Sequence, residues 1–199
     1  VLFSVPLPGV FNLYNCLAAL ALGQALGLKT NDMQRALEHM QPIAGRAERI
    51  ESGQPFAVVV DYAHTPDSLR ALFETFENHR IIAVFGATGG GRDVWKRKEM
   101  GAVADKFCSV AILTDDDSYD ENPASIAKEI AKGFTRITPS IQTDRRKAIA
   151  EALAQAREGD AVLIAGKGTD PYLMGPRGKK EPWSDASVVK EELARLGYN

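Results

Sequence analysis

FAVVVDYAHTPDSL, residues 56–69, runs from a strand into a helix through a cluster of polar groups. Phe56 to Val60 is an unbroken apolar run rich in β-branched valine, the composition of a strand buried on both faces of a parallel sheet. Asp61, Tyr62 and His64 stand at its carboxyl end. Thr65 then fits a helix N-cap and Pro66 the first helical position. Open α/β sheets bind ligands where strand carboxyl ends meet helix N-termini, so these polar groups are candidate ligand contacts. The same spacing fits an ordinary strand-to-helix turn with a surface histidine, and spacing by itself does not choose between the two.

From Phe56 onward the pattern alternates. Strands are expected at 56–61, 80–86, 109–114, 141–143 and 161–165, and helices at 66–78, 93–107, 123–134, 145–158 and 186–196. Such alternation predicts βαβ crossovers and an α/β, Rossmann-like fold with a mostly parallel, doubly wound sheet. Gly175-Pro176-Arg177-Gly178 is a turn signal, and the surrounding 172–183 segment is expected to hold a short hairpin or an antiparallel edge strand. Before Phe56 the chain reads differently. Residues 12–28 form an Ala/Leu-rich helix ended near Gly27, and a second helix runs from Asn31, as its cap, to about Met40. This helical quarter is expected to be a connector or the tail of another domain, giving a division at 1–45 and 46–199.

Bulk properties narrow the function classes. The chain has 199 residues and a formal charge of −2, which argues against nucleic acid or an anionic membrane surface as partner. Cys16 and Cys108 match no metal spacing and read as buried, reduced thiols of a cytoplasmic protein. The apolar stretch 16–28 is too short to span a bilayer.

Three further stretches carry chemistry. FGATGGGRDVWKRKEMG, residues 85–101, takes a strand through a glycine turn into a helix bearing Arg92, Lys96 and Arg97. It is neither a dinucleotide fingerprint nor a Walker motif, and we favour an anion or carboxylate site over a plain flexible turn. TDDDSYDENP, residues 114–123, gathers Asp115, Asp116, Asp117, Asp120 and Glu121 after a strand. It is either a solvated loop or the receiver of a cationic group; no histidine accompanies it, so no metal is expected. AGKGTD, residues 165–170, again ends a strand in glycines and a lysine, but no Ser or Thr follows Lys167 as a P-loop requires.

Taken together, Asp61 through Asp67, the Gly89–Arg92 turn with Lys96-Arg97, and Gly166-Lys167-Gly168 resemble the Mur ligase family. Gly9-Val10-Phe11-Asn12 with Asn15, and Gly45-Arg46 with Glu48, extend the resemblance over almost the whole chain. The DYAHTPD string is similar to the branch that adds the third amino acid to UDP-N-acetylmuramoyl-L-alanyl-D-glutamate in peptidoglycan synthesis. The resemblance implies a C-terminal domain preceded by the last helices of a central ATPase domain. It implies ATP and Mg²⁺, held mainly by that central domain, and a UDP-linked muramoyl dipeptide and a free amino acid as partners. Asn12, Asn15, Arg46, Asp61 and His64 would then be nucleotide contacts. Arg97, Asp116, Asp117, Tyr119, Gly166 and Asp170 would line the amino-acid pocket, and no residue of this chain is assigned a catalytic role. No G-x-x-x-x-G-K-[ST] occurs, so the chain alone is expected to be inactive as a ligase.

Two departures bear on the substrate. Family members that take meso-diaminopimelate carry Asp-Asn-Pro-Arg where this chain has Asp116-Asp117-Ser118-Tyr119, so the arginine that clasps a second carboxylate is absent. That favours L-lysine over diaminopimelate. Thr169-Asp170 replaces the usual His-Glu, shortening the carboxylate's reach. The alternatives are a folylpolyglutamate- or cyanophycin-type ligase, against which DYAHTPD speaks, and a non-catalytic binding module.

Overall fold

The computed structural model describes residues 3–199, which divide into two compact units, residues 3–43 and Ala44–Asn199.

The first unit is a helical pair, α1 (Val10–Ala25) and α2 (Thr30–Glu38). α1 ends in a Schellman motif: Gly27 adopts φ 77°, and the N–H groups of Gly27 and Leu28 donate to the carbonyls of Gln24 and Gly23. Only glycine takes that backbone without strain. α2 starts one residue before the expected cap, with Lys29 at the N-cap and no side-chain capping bond, so Asn31 lies inside the helix. Met33 packs where a Cβ on Gly23 would stand. α1 leaves Val10, Leu13, Tyr14, Leu17 and Leu22 exposed.

The second unit opens with β1 (Glu48–Arg49) and β2 (Ala57–Asp61), followed by α3 (Pro66–Thr75), β3 (Ile81–Phe85), α4 (Val94–Phe107) and β4 (Val110–Leu113). α5 (Pro123–Ala131), β5 (Ser140–Ile141), α6 (Arg145–Gln155) and β6 (Ala161–Ala165) complete the main sheet. A hairpin of β7 (Tyr172–Met174) and β8 (Lys180–Pro182), and then α7 (Asp185–Arg195), close the chain. The strand order is β1-β2-β6-β3-β4-β5, parallel except for β1, which pairs antiparallel with β2. The sheet is therefore the expected mostly parallel α/β sheet. Its antiparallel edge strand comes from residues 48–49, while the 172–182 segment forms a separate hairpin.

The strands are buried because helices cover both faces. Every residue of β3 and β6 is buried, as their continuous apolar runs require. One core cluster joins Val58, Val60, Ile82, Val84, Ile112, Val162 and Ile164 of the sheet to Ile149 and Leu153 of α6 and Val189 and Leu193 of α7. α3 starts as its sequence predicts: Thr65 Oγ1 accepts from the Ser68 N–H, Ser68 returns the bond to the Thr65 N–H, and Pro66 occupies the first turn. α4 and α5 touch through glycines, and a methyl on Gly101 or Gly133 would collide with the backbone of the other helix. This close approach accompanies an α5 that ends at Ala131 and stops short of the expected residue 134. Cys108 is fully buried, and both cysteines are free. Among the described residues no helix is long and apolar enough to cross a membrane.

Candidate functional site

β2 and β3 are consecutive in sequence, but β6 lies between them, so the carboxyl ends of β2, β6, β3 and β4 bound a single crevice. There a cavity of about 230 Å³ is lined by Tyr62, His64 and Thr65 after β2, and by Thr88, Arg92, Asp93 and Lys96 after β3. Asp116, Asp117 and Tyr119 line it after β4, and Gly166 and Asp170 after β6. The four polar stretches of the sequence thus meet on one rim.

The loops that carry these groups are locked by backbone. Gly89 donates to the Asp117 carbonyl, and Cβ atoms at Gly86 or Gly89 would strike the Thr114 or Ser118 carbonyl. Glycine is required there because the two loops approach closer than a side chain permits. Asp117 and Tyr119 both adopt left-handed φ, 54° and 51°, and the Tyr119 N–H donates to the Met174 carbonyl. This bond ties the acidic loop to the hairpin. Tyr119 also borders a second cavity of about 420 Å³ between that loop and the hairpin.

The charges are paired more fully than the sequence conveys. Lys167, 1% exposed, donates to both oxygens of Asp117 at 2.8 Å, with Asp170 at 3.4 Å. Burial works against its charge, but these carboxylates more than offset it, so its pKa is raised. Asp117 also accepts from the Met174 N–H. Asp116, 3% exposed, packs against Gly166, and burial pushes its carboxyl up to about 6 despite the nearby Arg145 and Lys167 charges.

His64 directs Nδ1 to the Tyr62 carbonyl at 2.8 Å. A carbonyl only accepts, so Nδ1 carries the proton and Nε2 is the free acceptor of the neutral ring. The Arg46 guanidinium lies 4.6 Å from the centre of the Tyr62 ring.

Two expected site residues face elsewhere. Asp61 is buried and spends both oxygens on its own unit, accepting from the Ala47 N–H at 2.6 Å and the Ala63 N–H at 2.7 Å. It fastens the Gly45–Ala47 turn to the end of β2 and does not border the cavity. Arg97, 2% exposed, pairs with Glu121 at 2.9 Å and Glu129 at 2.7 Å and donates to the Thr88 carbonyl, away from the cavity lining. The cations on the rim are Arg92 and Lys96. Helical spacing accounts for this: Arg97 follows Lys96 by one residue, which turns it to another face of α4. Asn12 and Asn15 lie in the helical unit, where Asn12 donates to the Pro8 carbonyl and Asn15 to Asn12. Among the described residues no cluster of histidine, cysteine and carboxylate fits a metal ion.

Comparison with known proteins follows the same outline. A family model described as "Mur ligase, glutamate ligase domain" matches residues 45–168. A UDP-N-acetylmuramoyl-L-alanyl-D-glutamate–2,6-diaminopimelate ligase of Caldanaerobacter subterraneus is 41% identical over 197 residues, covering 96% of this chain and 40% of that protein. The protein of the same name from Gloeobacter violaceus is 43% identical over 199 residues, covering 97% of this chain and 40% of its own length. The solved structure of a ligase of that name superposes with a TM-score of 0.74 at 31% identity, over 99% of this chain and 41% of the other. A folylpolyglutamate synthase of Mycobacterium tuberculosis superposes at 0.64 with 21% identity, over 98% of this chain and 41% of the other, a likeness of fold alone. The chain spans about two fifths of the length of the curated relatives it matches. With the family model covering residues 45–168 and the same sheet recurring in the solved relative, this chain belongs to the Mur ligase family.

Proposed function

We propose that the second unit is the C-terminal domain of an ATP-dependent ligase that joins an amino acid to a UDP-linked muramoyl dipeptide through an acyl phosphate. Residues 1–45 would then be the end of the central ATPase domain. The observation that carries this reading is the single cavity shared by His64, Arg92, Lys96, Asp116, Asp117, Tyr119, Gly166 and Asp170.

Such a ligase must hold a zwitterion with its amine aimed at an activated carbonyl. Opposite charges stand on different segments here: Arg92 on the glycine turn and Lys96 in the first turn of α4 suit the carboxylate, and Asp116 and Asp170 suit the ammonium. Seating the ammonium against rigid strand ends orients its nitrogen, which becomes the nucleophile once a proton is lost to solvent, and this is the main contribution a binding domain makes to amide formation. Arg46 stacked on Tyr62, with His64 beside it, presents a cation and a ring to a nucleotide. Asp61 would support that surface from behind. ATP supplies the phosphoryl group of the acyl phosphate. Among the described residues no group of side chains fits Mg²⁺.

We favour L-lysine as the added amino acid because Tyr119, and no arginine, stands where a second carboxylate would be clasped. Asp117 does not carry this argument, since Lys167 already neutralises it. The names of the relatives, and the cationic pair Arg92 and Lys96, favour meso-diaminopimelate instead. Titrating the chain with each amino acid by calorimetry separates the two. L-lysine binding at least about tenfold tighter, some 1.4 kcal/mol, supports the first reading, and the reverse order replaces it with the second.

A further inference from the structure

Arg145, at the start of α6, has no exposed side-chain surface, and it reaches four acceptors on three segments. Its Nε and Nη2 donate to the two carboxylate oxygens of Asp185 at 2.8 and 2.7 Å. Nη1 donates to the Asp115 carbonyl at 3.1 Å and Nη2 to the Ala165 carbonyl at 3.0 Å. Ala165 ends β6 and Asp115 lies two residues past β4, and these strands are not neighbours because β3 lies between them. Asp185 is itself fully buried and accepts from Trp183 Nε1 at 2.8 Å.

A core does not need this arrangement. Burying an ion pair costs more desolvation than an apolar pair of similar volume, and a cation at a helix N-terminus opposes the helix dipole. The geometry offsets those costs by joining the two strand ends that carry Asp116-Asp117 and Gly166-Lys167. We propose that Arg145 is a positioning residue: it splints the ends of β4 and β6 from beneath the cavity and supplies the counter-charge under Asp116. This deepens the amino-acid reading, on which only its functional meaning rests.

The charged groups around Asp116 are Arg145 of α6, Asp185 of α7, Lys167 after β6, and Asp115 and Asp117 of its own loop. Across the cavity stand His64, Arg92, Asp93, Lys96 and Asp170. Of these, Arg145 is the strongest influence favouring the charged carboxylate, and Asp185 opposes it.

The test is carboxyl-carbon NMR titration and amide exchange on the unliganded chain. Arg145→Met is expected to raise the Asp116 midpoint by about one pH unit or more, a tenfold change in proton affinity. It should also speed exchange at the Asp117 and Gly166 amides by roughly tenfold. Arg145→Lys keeps the charge but not the four bonds, so exchange should quicken while the midpoint stays within about half a unit. Asp185→Asn removes the opposing charge and should lower the midpoint, an outcome readable even if Arg145→Met does not fold. An Asp116 midpoint unmoved in Asp185→Asn or in a folded Arg145→Met, or unchanged loop exchange in both Arg145 variants, overturns the proposal. All readouts are taken without ligand, so their failure leaves the amino-acid reading standing. Absence of amino-acid binding likewise leaves the splint intact.

Discussion

Lys167 and Asp117 are 50 residues apart in sequence, yet the buried lysine ammonium sits 2.8 Å from both carboxylate oxygens of the aspartate. The pair joins the end of β6 to the loop after β4. Asp93, Asp116 and Asp170 are the other carboxylates on the cavity lining.

Lys167→Met should therefore cost more than Asp117→Asn. Removing the lysine strands a half-buried carboxylate beside Asp116 and Asp170, and breaking such a pair costs about 3–5 kcal/mol. The asparagine keeps a hydrogen-bond acceptor for Lys167 and Met174. Urea unfolding at neutral pH measures both; equal losses would contradict the pairing.

Asp116 gives a pH dependence of definite sign. Its carboxyl titrates at about 6, above the ordinary 3.8, so the folded chain binds more protons than the unfolded chain between those values. Stability from this group is present below pH 3.8 and is lost as the pH rises through about 6. Asp116→Asn should raise stability at pH 7.5 by about 1–3 kcal/mol, on the scale of 1.36 kcal/mol per pH unit, and by little below pH 4. The same variant should weaken amino-acid binding. Chemical denaturation across pH, with calorimetry, reads both effects.

Tyr119 borders both cavities, and Tyr119→Arg would place a guanidinium beside Arg92 and Lys96. Affinity for meso-diaminopimelate relative to L-lysine is expected to rise about tenfold, near 1.4 kcal/mol for a charge-assisted pair. Competition binding checks it, and an unchanged ratio would remove Tyr119 from the specificity argument.

Gly101→Ala tests the contact between α4 and α5. Its methyl would collide with the Ile130 carbonyl, which is backbone and cannot swing aside. A loss of about 1–3 kcal/mol is expected from overpacking, against the usual gain when glycine becomes alanine inside a helix. Thermal unfolding gives the sign directly.

The isolated chain should form no amide from ATP, an amino acid and the muramoyl dipeptide, since it contains no G-x-x-x-x-G-K-[ST] loop. Phosphate release above background in a turnover assay would refute this.

Much of the fold was legible because its rules are local. Valine and isoleucine runs marked β2, β3, β4 and β6, and Thr65-Pro66 marked a helix start whose capping bond forms as expected. β1 was missed because two residues carry no periodicity, and Lys29 replaced Asn31 as a cap because no side chain contributes at that start. Asp116, Gly166 and Asp170, singled out through the family resemblance, do line the cavity. Arg97 and Asp61 were read as ligand contacts although Glu121, Glu129 and two backbone amides engage them. Arg92 and Lys96 were within reach of the sequence, since the glycine turn and one helical face point to them. Arg145 gave no signal, being one basic residue in a helix that has several.

The order of residues alone determined the alternation of strands and helices, and with it the sheet edge at which polar groups collect. Apolar runs and capping residues act within a few positions of themselves, so no other part of the chain is needed to read them. Only the tertiary structure decided that β6 inserts between β2 and β3, that Lys167 neutralises Asp117, and that Arg145 holds the Asp115 carbonyl next to Asp116. Those outcomes depend on distances between segments tens of residues apart. Charge interactions and desolvation follow such distances, which a linear order does not contain.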